Sequence, residues 1–379
     1  MVKKNILIGN GVNIEFDKNK DYSNSSILKR LIKMLWQNIN NDDIYIKIFK
    51  GEASSYNIYK IITELNKFFN KYMLSRDKTI IHSLKTSADY EMFKDIIHRY
   101  KSPPIRVTDI WMEDYFFILR TFNNLYKDNS VSEKYLFDGI KMVFLDSIYN
   151  CGKINDLFEN MNCWKPYLVE YDNVFTINYD TNIDKLLNKE IYHLHGRFDV
   201  LDDTYRTDTI LGQINFKKTN PSYVTKGMEH IACNAIMGYC GKNKTEYMER
   251  YININHGLED IFSTQSIDEI GKLITKLNHS ESEEDKFAAS LLTEKVNNPK
   301  LKCTEYPFKE FKNISGELHI IGVSPNNDNH IFSFINHNSK IDKVIYYFFS
   351  SKDKKNAKKV IEKPLETIEV SKYWKKVRQ

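Results

Sequence analysis

The sequence predicts an α/β protein built on a parallel β-sheet, and three observations predict it. Short apolar runs near both ends of the chain read as buried strands. Amphipathic stretches with helical spacing follow them, and strands alternating with helices imply a parallel sheet covered on both faces. At 379 residues, 41% hydrophobic and 28% charged, the chain can also bury a sizeable core.

Taken in order, KNILIGNG reads as a strand breaking into a tight turn at Gly9-Asn10-Gly11. From Ser25 to about Lys165 the pattern turns helical. SSILKRLIKMLWQNI, YNIYKIITELNKFFNKYML, DIWMEDYFFILRTFNNLYK and SEKYLFDGIKMVFLDSIY carry apolar residues at helical spacing. Their Tyr and Phe stripes fit helix-packing core. NVFTINYD returns to strand, TNIDKLLN is one or two turns of helix, and EIYHLHG is another strand. Beyond about Asn220, SIDEIGKLITKL and EEDKFAASLLTEKV read as helices, with HSESEEDK a mobile surface loop between them. The end alternates again: strand ELHIIGVS, helix DNHIFSFINHN, strand KVIYYFF, helix KKNAKKVIEK, strand ETIEV. A core from 1–24, 165–216 and 314–379 is thus expected, interrupted by helical insertions at 25–164 and 217–313.

Composition narrows the function. No apolar run approaches the roughly 20 residues of a spanning helix, so a cytoplasmic protein without membrane contact is expected. The five cysteines are odd in number and form no Cys-x-x-Cys pair, which weighs against a disulfide framework and a structural zinc ribbon. The net charge of +5 is concentrated from Ile341 to Gln379, where 11 Lys/Arg face five Asp/Glu. The remainder is near neutral, which weighs against a nucleic-acid groove. The KDKKNAKK run fits a solvated helix face.

In such a sheet the ligand sits at the carboxyl ends of the strands. Three strands end in unusual turns: Gly9-Asn10-Gly11, Thr176-Ile177-Asn178-Tyr179-Asp180 and Gly322-Val323-Ser324. Glycine there lets backbone approach a phosphate, though a plain tight turn also explains it. Asn178 and Asp180 suit a ligand site and equally suit turn or cap roles. His195 stands 17 positions after Asn178, directly before Gly196. His193 and His195 alternate onto one face, so a metal site completed by acids such as Asp199 or Asp202 is a rival reading.

Together these motifs resemble the sirtuin core, whose Thr-x-Asn-x-Asp and His-Gly stand at this spacing. GNGVN, from Gly9 and Asn10 through Gly11, Val12 and Asn13, occupies the place of the sirtuin Gly-Ala-Gly-Ile-Ser loop. GVS, from Gly322 to Ser324, occupies that of Gly-x-Ser. Asn-Tyr-Asp, with Asp328 ahead of the next helix, is similar to the bacterial sirtuin-domain NAD hydrolases of anti-phage defence and to AbiH-type abortive-infection proteins. The resemblance covers about the first 20 residues, 170–215 and 314–370. The chain departs from it in lacking the Pro-Asp-Phe-Arg segment and the zinc cysteines with their small domain, so deacylation is not expected.

The resemblance implies a Rossmann-like core of sirtuin type with large helical insertions and no zinc-ribbon domain. It implies NAD as substrate, no metal, and cleavage to ADP-ribose and nicotinamide. Asn178, Asp180 and His195 would be catalytic. The Gly9–Asn13 loop would cradle the pyrophosphate, Thr176 would belong to the cofactor-binding set, and Gly322, Ser324 and Asp328 would face the adenosine half. A NAD hydrolase must be latent in its own cell. Tyr- and Phe-rich insertions therefore suggest a homo-oligomer controlled by a partner, such as a HerA-type helicase or a phage component. A metal-dependent hydrolase using His193 and His195, and a non-catalytic nucleotide sensor, are the alternatives.

Overall fold

The structure is a computed structural model that describes residues 2–379 apart from 50, 52, 85, 101–102, 127–130, 203–224, 240, 301 and 326–327. The tail of the expected central core segment, 203–216, therefore lies outside the described residues.

Six strands form one sheet: β1 (Lys4–Ile8), β2 (Asn173–Thr176), β3 (Ile191–His193), β4 (Gly316–Ile321), β5 (Ile341–Phe348) and β6 (Leu365–Glu369). Their order is β3-β2-β1-β4-β5-β6 and every pairing is parallel. This is a Rossmann-like arrangement, with the strand order reversing between β1 and β4. Ile8 is level with Thr176 on one side and with Ile321 on the other, so the turns after β1, β2 and β4 emerge side by side.

Alternation along the strands divides the core in two. Ile6 and Ile8 face one hydrophobic cluster while Leu7 between them faces another. The first cluster continues without a break into the helices Asn24–Ile39, Ser55–Phe68 and Met112–Tyr126, through Leu28, Leu31, Ile58, Ile62 and Phe116. The segment 25–164 thus shares its core with the sheet. The second cluster joins the other face to Phe311, Phe332, Tyr247 and Tyr251. Ser23 and Ser54 cap the first two helices by accepting the backbone N–H of Ser26 and Asn57. A buried Asn5 bridges three strands, donating to the carbonyls of Ser315 and Glu317 and accepting from Asn173.

Two helices add detail to the segments expected to be helical, and one stretch differs in part from expectation. The helix Ser87–Arg99 opens with a reciprocal Thr86/Asp89 capping box, and Lys242–Thr264 is a 23-residue helix. Neither stood out from periodicity alone. Of the charged HSESEEDK stretch, residues 279–282 form the expected loop, while 283–286 are already helix, because Ser282 accepts the N–H of Asp285 and starts Glu283–Asn297. A closing helix, Val370–Val377, sets Trp374 against Phe16 and Trp164, with ring centroids 5.0 and 5.1 Å apart. Among the described residues no helix is long and apolar enough to cross a membrane.

Candidate functional site

The turns after β1 and β4 cross in contact. Gly9 N–H donates to Ile321 O and Gly11 N–H to Gly322 O, at 2.9 and 3.0 Å. A Cβ on Gly9 would lie 2.4 Å from Gly322 O, and Gly322 itself has φ +72°. These glycines are required first by backbone meeting backbone. Val12 N–H returns to Gly9 O and its side chain is core. The N–H groups of Gly9, Gly11 and Val12 thus have protein partners, and Asn10 and Asn13 are the members of this turn that line a cavity.

That cavity, of about 200 Å³, opens at the carboxyl ends of β1, β2 and β4. Asn178, Asp180, His195 and Asp328 line it with Asn10 and Asn13. Thr176 does not line it. Its hydroxyl donates to Ile8 O at 3.2 Å and accepts Asn178 N–H at 3.0 Å, pinning the turn that presents Asn178. The Asn178 side-chain amide has no hydrogen-bond partner among the described residues, although the residue is 8% exposed.

Asp180 is the opposite case. Asn13 Nδ2 donates to its Oδ2 at 2.6 Å, and Asn182 donates to Oδ1 through its backbone N–H at 3.0 Å and Nδ2 at 2.7 Å. Burial raises its carboxyl above the usual range against those hydrogen bonds, which favour the charged form. Asp180 ties the β1 turn to the β2 turn.

His193 and His195 do not converge on one point. Both nitrogens of His193 are engaged, Nε2 with Asp184 at 2.9 Å and Nδ1 with the Asn178 carbonyl at 3.2 Å. His195 lies past the end of β3, where Gly196, at φ +80°, turns the chain against Asn234. Its Nε2 sits 2.9 Å from Nε2 of His330, with the rings stacked at 19°. Burial, then Lys244 and His330, hold His195 well below the usual imidazole range, so it is neutral at pH 7. Burial and Lys244 do the same to His330, whose Nδ1 is buried without a partner among the described residues.

Sequence reasoning missed the residues that close the cleft. Glu113, on Met112–Tyr126, lines the cavity and pairs with the buried Lys244 of Lys242–Thr264. The two insertions therefore meet over the sheet. Asp328 is pushed up to about 7 by burial and then by Glu113, while Lys244 and Arg99 oppose the shift. Ser324 and Gly322 flank this region without lining the cavity. Ligand atoms of His195, Asp328 and His330 lie within 4.8 Å of one another. No protein-family model, curated protein or solved structure matches this chain.

Proposed function

We propose that this chain is a sirtuin-type NAD hydrolase that cleaves the nicotinamide–ribose bond to give ADP-ribose and nicotinamide. The observation that carries the reading is the unpartnered Asn178 amide facing one cavity with a neutral His195, at the point where the strand order reverses. The spacing of Thr176-x-Asn178-x-Asp180 and His195-Gly196 supports it.

Breaking this bond builds positive charge on the ribose while neutral nicotinamide leaves, so catalysis needs a fixed ribose and an aimed water. The Asn178 amide both donates and accepts, and can hold ribose and water together. The water oxygen bonds to the anomeric carbon, and the nicotinamide nitrogen departs with the bonding electron pair. The proton released by the water passes through the neutral His195 to solvent. Asp180 acts by holding Asn13 and the β2 turn in place. The biological role that the resemblance supports is NAD depletion in abortive infection, by an oligomer kept latent until a partner or phage component releases it.

A second reading is a metal-dependent hydrolase whose ligands are His195, Asp328 and His330, favoured by their proximity. The Lys244 ammonium acts on all three groups and opposes a divalent cation there. Incubating the purified chain with NAD and a chelator separates the readings: ADP-ribose should still appear, and loss of turnover with the metal would favour the second.

A further inference from the structure

Trp111 has no place in the chemistry above, yet it lines the same cavity as Asn178 and His195. Its position is fixed from behind. The Arg99 guanidinium carbon lies 3.8 Å from the indole centroid, and Arg99 is held by Asp114 through contacts of 2.7 and 2.6 Å. The Tyr100 hydroxyl donates to Asp114 at 2.6 Å and accepts the Trp111 backbone N–H at 2.7 Å. Among the described residues no aromatic ring packs on Trp111 and its indole N–H has no hydrogen-bond partner.

We propose that Trp111, braced by Arg99, is a stacking platform for the neutral purine ring of the bound nucleotide. The proposal rests on the NAD reading and adds which half of the molecule meets the first insertion. An indole attracts cations through its negative face. A guanidinium already occupying one face draws on that density and makes a second cation on the other face less favourable. The nicotinamide ring of NAD is cationic and the adenine is neutral, so the braced indole discriminates for adenine. Asp328 lines the cavity with Trp111, and Asn329 next to it donates to Asp95 of the Ser87–Arg99 helix at 3.1 Å, which sets this end of the cavity beside the segment after β4. Stacking of one base on an aromatic side chain is worth about 1–3 kcal/mol, or roughly 5- to 150-fold in affinity.

The test is calorimetric binding of ADP-ribose, AMP and nicotinamide mononucleotide to the full chain and to Trp111→Leu and Trp111→Phe. Trp111→Leu should weaken ADP-ribose and AMP about 5- to 150-fold and leave the mononucleotide within about twofold. AMP should quench the fluorescence of the wild type; Trp111→Phe keeps a ring and should retain most of the affinity while losing that quenching. A mononucleotide affinity that falls while AMP is unchanged would overturn the assignment to adenine. Quenching by AMP that persists in Trp111→Phe would likewise place the base elsewhere. If the wild type binds ADP-ribose and both variants match it, the platform is wrong and the NAD reading stands. If the wild type binds none of the three, the NAD reading fails and the platform with it.

Discussion

Asn178 and Asp180 stand two positions apart and play different physical parts. Asp180 receives three donors, so Asp180→Ala orphans groups on Asn13 and Asn182. Each buried orphan costs about 1–3 kcal/mol, which a lowered denaturant midpoint would reveal. His195→Ala should cut kcat about 100-fold or more, as loss of a proton acceptor does. His193→Ala should be milder, because that ring only steadies the Asn178 carbonyl and Asp184. A loss in His330→Ala as large as in His195→Ala, together with inhibition by chelator, would move the assignment to a metal hydrolase. Asn178, Asp180 and His195 were legible because polar residues at strand ends break the apolar pattern. Glu113, Lys244 and His330 were not, since one polar residue within a helical stretch is ordinary. Tertiary packing alone makes them neighbours.

At the scale of elements, the six strands could be read from apolar runs, and their order could not. The Gly-Asn-Gly turn shows the difference. In sequence it suggests a phosphate cradle, whereas in the fold its glycines let the β1 and β4 turns touch. Gly9→Ala should therefore lower the thermal midpoint even without nucleotide, since its Cβ would meet Gly322 O at 2.4 Å. An unchanged midpoint with weakened nucleotide binding would restore the cradle. The helices Met112–Tyr126 and Lys242–Thr264 meet through Glu113 and Lys244. A double-mutant cycle with Glu113→Gln and Lys244→Met should give a favourable coupling of about 0.5–3 kcal/mol in unfolding free energy. Additive effects would mean that the insertions close the cleft by apolar packing alone.

For the whole molecule, the buried polar cluster has a pH signature. Asp328 holds its proton more tightly folded, at about 7, than an unfolded aspartate does at about 3.9. That contribution is complete below about pH 4 and is lost as pH rises towards about 7. Across this window the unfolding free energy should fall more steeply for the wild type than for Asp328→Asn, as read by denaturant midpoints at each pH. Identical slopes would show that Asp328 does not carry the effect. The proposed latency is tested at this scale too: light scattering should find a homo-oligomer, and extract from phage-infected cells should raise its turnover. The most direct test of the central claim is chromatographic detection of nicotinamide and ADP-ribose released from NAD, with and without that extract, by wild type and Asn178→Ala. The account predicts metal-independent release by the wild type and a loss of about 100- to 1000-fold in a folded Asn178→Ala variant. Release by that variant at the wild-type rate, or no release by the wild type under either condition, would contradict it.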